Sequence, residues 1–286
     1  MTQIVYLNGA FMPIEQATVP VLDRGFIFGD GVYELIPVYS RRPFRLEEHL
    51  NRLQQSLDGI RLANPHPRET WTALIHELIA RDENADQSVY LHVTRGVAKR
   101  DHPFPEGVPP TVFMMTNPLT TPPAALVEQG VAAISAEDNR WGRCNLKAIS
   151  LLPNILLRQL AVDAHVNETV LFRDGILTEG TATNIFAIEH GVILAPPKDQ
   201  HMLPGITYDL ILELAAAHRM PVEIGKFDKA RIRRAEELWL CSSTREVLAI
   251  VTLDGQTIGD GHPGPLFRKM YDLYQDYKHR IMRAAS

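Results

Sequence analysis

The stretch DRGFIFGDGVYE, residues 23–34, crowds three glycines into seven positions among aromatic side chains. Glycine tolerates backbone conformations closed to other residues, so the run is either a tight path that faces something or an ordinary hairpin turn. Its flanks choose a mixed architecture. On the N-terminal side, residues 4–7 read as a strand, Asn8-Gly9 as its turn and the region of Phe11 as the return strand. On the C-terminal side, Leu46, Leu50, Leu53, Leu57 and Ile60 step by four and three, which is one face of a helix. A second helix is expected after Pro67, with Trp71, Leu74, Ile75, Leu78 and Ile79 as its buried stripe. Residues 89–94 and 111–115 are short, β-branched or aromatic runs and read as strands.

The pattern then breaks. NPLTTPP, residues 117–123, holds three prolines in seven and resists both helix and central strand. Beyond it short strands dominate, at 131–135, 169–173, 184–188, 192–195, 237–241 and 248–251, with helices expected at 155–165, at 207–218 and from 265 to near 282. The expected fold is mixed α/β (α+β) in two domains, 1–117 and 124–286, joined by a linker at 118–123, with a cleft where they meet.

Composition narrows the function classes. Of 286 residues, 45% are apolar and 22% charged, the profile of a globular chain, and the formal charge of −5 is spread without a basic stripe. A nucleic-acid partner is therefore not expected. Cys144 and Cys241 are too few for a disulfide framework and lack the Cys/His spacing of a zinc site, so no metal and a reduced, cytoplasmic setting are expected. The first residues lack a basic segment followed by an apolar one, so no secretory signal is expected, and no apolar run is long enough to span a membrane.

Three further segments could carry chemistry. TRGVAKRDHP, residues 94–103, is a basic loop after a strand; Arg matches the two oxygens of a carboxylate and His adds a donor, although a solvated loop reads the same way. RCNLKAISLL, residues 143–152, places a single lysine among small and apolar residues; burial would free its amine as a nucleophile, while most lysines are merely solvated. Cys144 beside it reads as a packed thiol. TEGTATNIF, residues 178–186, offers a Glu at a strand entrance, suited to a flat ring nitrogen, and LPGIT, 203–207, opens a helix whose free N–H groups suit a phosphate, or whose Thr207 is only a cap. Ser242, Ser243 and Thr244 add small donors.

In this order, from Tyr6-Leu7-Asn8-Gly9 to Asp254-Gly255, the segments resemble the branched-chain/D-amino acid aminotransferase-like (class IV, fold-type IV) enzymes that use pyridoxal 5'-phosphate (PLP). The resemblance implies PLP in the interdomain cleft, with Lys147 as the Schiff-base lysine and Glu179 as the acid that keeps the pyridine nitrogen protonated. It implies that Arg52 grips the phosphate together with the Ile206 and Thr207 amides, Ser243 and Thr244, and that Leu203 packs on the ring. Tyr33, Arg100 and His102 match the D-amino acid branch's trap for the substrate α-carboxylate, with Arg100 and His102 supplied by the neighbouring subunit of a homodimer. The activity implied is transamination of D-amino acids such as D-alanine with 2-oxoglutarate or pyruvate. Lys147 would move the Cα proton, and the carboxylate anchor would choose the face of Cα presented to it.

Ala195, Tyr208 and Ala182 depart from the family's usual threonine, basic residue and serine, which bears on substrate preference rather than on the chemistry. The same scaffold also serves branched-chain L-amino acid aminotransferases, which should lack the Arg-x-His trap of 100–102, as well as (R)-amine transaminases, aminodeoxychorismate lyases and a non-catalytic PLP-binding protein.

Overall fold

Alternation of side chains along extended segments and a four–three rhythm along helical ones account for the elements of a computed structural model, which describes residues 2–283. The outermost ends of the expected domains, residues 1 and 284–286, lie outside the described residues. The chain divides into two units: one runs to Thr120 and takes in Leu146–Leu151, and the other comprises Thr121–Asn145 and the chain from Leu152 onward.

The first unit contains β1 (Ile4–Leu7), β2 (Ala10–Pro13), α1 (Arg24–Phe28), β3 (Gly31–Tyr39), β4 (Arg42–Pro43), α2 (Leu46–Gly59), α3 (Arg68–Ala80), β5 (Gln87–Thr94) and β6 (Thr111–Pro118). Its strands form one antiparallel sheet in the order β2-β1-β6-β5-β3-β4. Val32, Ile36 and Val38 of β3, with Val89, Leu91 and Val93 of β5, meet the leucines of α2 and Trp71, Ile75 and Leu78 of α3 in one buried cluster. Because successive strand residues point to opposite faces, Tyr33, Tyr90, His92 and Phe113 fall together on the other face.

Residues 23–34 turn out to be neither a hairpin nor a loop. They are a short helix, capped at its start by the Asp23 side chain and closed by Gly29 at φ 65°, followed by the entry to β3. Gly29 lies against Ser150, so a side chain there would be strained both by the backbone and by the lysine-bearing segment.

That segment corrects the linear domain division. The sequence reading placed Lys147 in the C-terminal domain, but Tyr33 N–H donates to Lys147 O (2.9 Å), Ile149 N–H donates to Gly31 O (3.1 Å), and Val32 pairs with Ala148. Residues 146–151 thus add a short extended pairing to β3 and pack with the first unit. A boundary sought only in proline content misses a segment that returns to an earlier sheet.

The second unit contains α4 (Ala124–Gln129), β7 (Val131–Glu137), α5 (Leu152–Asp163), β8 (Glu168–Arg173), β9 (Ile176–Gly180), β10 (Asn184–Glu189), β11 (Val192–Ala195), α6 (Ile206–Ala217), β12 (Val222–Ile224), α7 (Lys229–Arg233), β13 (Glu237–Ser242), β14 (Glu246–Leu253), β15 (Gln256–Thr257) and α8 (Pro265–Lys278). Its sheet runs β12-β11-β10-β13-β14-β7-β8-β9, with β15 on β14; β12 on β11, and β7 with both β14 and β8, are the parallel pairs. Ile185, Ala187, Leu238, Leu240, Leu248 and Ile250 form its inner layer with Phe227 and Ile232. Helix α5 begins at Leu152, three residues before the expected start, because Pro153 sits in the first turn, where its missing N–H has no helical partner to lose. Its Leu152, Ile155, Leu156 and Leu160 form an exposed apolar row.

Both cysteines are free and buried. Among the described residues, no helix is long and apolar enough to cross a membrane, and no His, Cys, Asp or Glu cluster could hold a metal ion.

Candidate active site

In the first unit Lys147 is fixed through its backbone. Its N–H donates to Ser56 Oγ of α2 (3.1 Å) and its carbonyl accepts from Tyr33, while its Nζ lies 4.4 Å from the centre of the Tyr33 ring. The ring's electron-rich face attracts the ammonium and holds it near one side of the segment. Beneath, on the helix-facing side of β3, Glu34 is fully buried. Arg52 Nε and Nη2 donate to its two oxygens at 2.8 and 2.7 Å, and His49 Nδ1 stands 2.8 Å from Oε2. Burial alone would raise the Glu34 carboxyl, but Arg52 and His49 outweigh it and hold it well below the usual range. Burial, with Arg52 and Lys147 adding to it, lowers His49 despite Glu34. A neutral ring that donates from Nδ1 leaves Nε2 as an acceptor, and that buried atom has no partner among the described residues.

Arg100 and His102 are exposed and are gathered around Phe28, with the Arg100 guanidinium 5.6 Å and the His102 ring 5.6 Å from its ring centre. Their loop is held by its backbone: buried Arg24 donates to the carbonyls of Asp101 (2.6 Å), His102 (3.3 Å) and Pro103 (3.4 Å). Arg24 is itself clamped by Asp30, as is Arg95. Of the expected carboxylate trap, Tyr33 is thus beside Lys147, and the other two stand at the Phe28 corner.

In the second unit Glu179, at the end of β9, is 4% exposed. Arg140 Nη1 donates to its Oε1 (2.6 Å), and Leu203 N–H and Asn184 Nδ2 donate to Oε2 at 3.1 and 3.3 Å. Burial pushes its carboxyl up to about 7, with Arg140 opposing. Helix α6 starts nearby. Gly205 at its N-cap makes no side-chain cap, and a Cβ there would overlap Asn184 Oδ1. The first N–H groups of α6 therefore lack helical partners, and the buried Thr207 Oγ1 has none among the described residues. This is a donor set suited to an anion. The register pairs Asn184 with Cys241, which carries the Ser243–Thr244 turn to the same end of the sheet as Gly205. Both turn residues are half-buried.

A sequence profile of amino-transferase class IV matches residues 31–253. The chain belongs to that family. A D-alanine aminotransferase of Bacillus licheniformis is 36% identical over 272 residues, covering 95% of this chain and 96% of that protein. Another, from Staphylococcus epidermidis, is 35% identical over 274 residues, covering 96% and 97%. Among solved structures, the T.th. branched-chain amino acid aminotransferase with pyridoxamine 5'-phosphate aligns at a TM-score of 0.90 and 24% identity, covering 96% of this chain and 94% of that one. That likeness bears on the fold, which is the two-domain fold-type IV architecture.

For a class IV aminotransferase, sequence reasoning missed a supporting layer: Glu34, His49 and Ser56 under Lys147, and Asp138, Arg140 and Asn184 around Glu179. A signal existed for the first group, since His49, Arg52 and Ser56 interrupt the leucine face of α2 at helical spacing. None existed for Asp138 and Arg140, which sit in a polar run that reads as solvated surface.

Proposed function

We propose that this chain catalyses PLP-dependent transamination between D-amino acids, such as D-alanine, and a 2-oxo acid such as 2-oxoglutarate or pyruvate. The near full-length identity with D-alanine aminotransferases carries the choice of substrate class. The donor set fits PLP: an uncapped helix start with an orphaned buried hydroxyl suits its phosphate, and a buried carboxylate suits its ring nitrogen.

When bound, PLP supplies an aldehyde for an amine and a protonated ring that draws electrons away from Cα. Lys147 would provide the amine that holds the aldehyde, and its Nζ would be the base that takes the proton from the substrate Cα. Glu179 accepts the ring N–H, and Arg140 opposes its neutralisation. The Ile206 and Thr207 amides, the Thr207 hydroxyl, Ser243 and Thr244 bind the phosphate, with Arg52 as its guanidinium partner. Leu203 packs on the ring. Tyr33, with Arg100 and His102 of a partner subunit, binds the α-carboxylate and so selects the face of Cα that meets Lys147. A homodimer is part of this reading, supported by the exposed Leu152, Ile155, Leu156 and Leu160 row on α5 and by Phe26, 77% exposed. A cytoplasmic setting is supported by the two free thiols.

The test is a panel of D- and L-amino acids against 2-oxoglutarate, with the cofactor absorbance of the purified protein as a second readout. D-Alanine should bleach the band and turn over, and L-leucine should do neither. Preferential turnover of L-leucine would assign the branched-chain L-specific activity instead.

A further inference from the structure

Arg140 does not serve Glu179 alone. Its Nε and Nη2 donate to the two oxygens of Asp138, each at 2.9 Å, while its Nη1 reaches Glu179. Asp138 is in turn met by Arg173 Nη2 (3.1 Å) and by the Thr178 hydroxyl (3.0 Å). All are in the second unit: Asp138 and Arg140 follow β7, Arg173 ends β8, and Thr178 precedes Glu179 on β9. The charges alternate along a line, Arg173, Asp138, Arg140, Glu179. The inner three are nearly removed from solvent, and Arg173 is at the rim, with 18% of its side chain exposed. Cys144 is a titratable neighbour of Arg140, and burial raises its thiol to about 11 and so keeps it neutral near pH 7. Asn184 and the Leu203 amide complete the shell of Glu179.

We propose that Asp138 and Arg173 are positioning residues for the cofactor-ring carboxylate: Asp138 takes up two of the three donating nitrogens of Arg140, Arg173 limits how strongly it does so, and together they set how tightly Glu179 holds a proton. This rests on the reading of Glu179 as the partner of the PLP ring nitrogen. An arginine forked onto Glu179 alone would leave a carboxylate too weakly basic to accept the ring proton well. One wholly claimed by Asp138 would leave Glu179 buried, unpaired and protonated. The observed sharing lies between these limits. Charge separations of this size at partly buried positions move a titration appreciably.

The two residues therefore act with opposite sign, which a merely structural role would not produce. In the full-length apoprotein labelled with [δ-13C]glutamate, the carboxyl resonance missing from Glu179→Gln identifies Glu179. Its midpoint should fall in Asp138→Asn and rise in Arg173→Gln, each by about half a pH unit or more, and Arg173→Lys should return it towards the parent value. Movement of both variants in one direction, or of neither, overturns the proposal. Should Asp138→Asn fail to fold, the rim variants Arg173→Gln and Arg173→Lys still decide it: no rise in the first means it is wrong. The reading beneath is tested separately, because Glu179→Gln binding PLP as tightly as the parent would remove Glu179 from the cofactor whatever its midpoint does.

Discussion

Glu34 and Glu179 are both carboxylates buried beside an arginine, yet their surroundings drive them in opposite directions. Glu34 receives two nitrogens of Arg52 and one of His49, and its carboxyl is held below its ordinary 4.5. In the unfolded chain it binds a proton more readily, so its contribution is present above pH 4.5 and is lost as pH falls towards the folded value. Glu34→Gln removes the buried carboxylate that accepts from both Arg52 and His49 and should destabilise the protein by about 3 kcal/mol at pH 7, with a flatter acid limb, in urea titrations across pH. Glu179 has the reverse sign. Its folded value is about 7 against 4.5, so in the apoprotein its contribution is present below pH 4.5 and declines as pH rises through 7. Glu179→Gln should remove that slope. At this scale the sequence marks a residue type that is unusual for its setting, as with a lysine among small apolar neighbours, while Glu179 lies at the end of β9 and not at a strand entrance. Asp138 and Arg140 were not legible, because a buried ion pair and an exposed charged loop are spelled alike until the chain is folded.

The start of α6 shows what an element contributes beyond its residues. Gly205 lets the backbone close on Asn184, and Asn184 Nδ2 ties Leu203 O at 3.0 Å. The turn is thus set before a phosphate arrives. Because Thr207 Oγ1 is buried without a partner among the described residues, Thr207→Val should leave apoprotein stability within about 0.5 kcal/mol while weakening PLP binding about tenfold, read by equilibrium titration. Gly205→Ala has nowhere to place its methyl and should lower both. The longer helices are legible because apolar residues at three- and four-residue steps leave little choice, whereas the short α1, α4 and α7 are not. Strand β3 escaped. Its residues 36–39 are all buried, which erases alternation, and Pro37 reads as a breaker. Its carbonyl accepts from Phe44 N–H, so its missing N–H also faces away from β5 and the sheet tolerates it. Strand β9, only five residues long, is likewise absent from the sequence reading, which puts Glu179 at the entrance of a strand and not at the end of one.

At the scale of the whole molecule, two copies should be needed for one complete site. Neither Lys147→Ala nor Arg100→Ala homodimers should turn over D-alanine. Mixed and reassociated, they form heterodimers in which one site pairs an intact Lys147 with the other subunit's intact Arg100, so about a quarter of parental activity should return. No recovery would mean that Arg100 serves its own subunit. Leu156→Glu, in the exposed row of α5, should shift sedimentation towards the monomer and take the activity with it. The return of 146–151 to β3 is not legible in the sequence, since backbone pairing across more than a hundred residues leaves no local mark. The most direct test is chemical. Borohydride reduction of the PLP-loaded protein, followed by proteolysis and mass spectrometry, should place a pyridoxyl group on Lys147; label on another lysine, or none on the peptide that contains residue 147, would contradict the assignment.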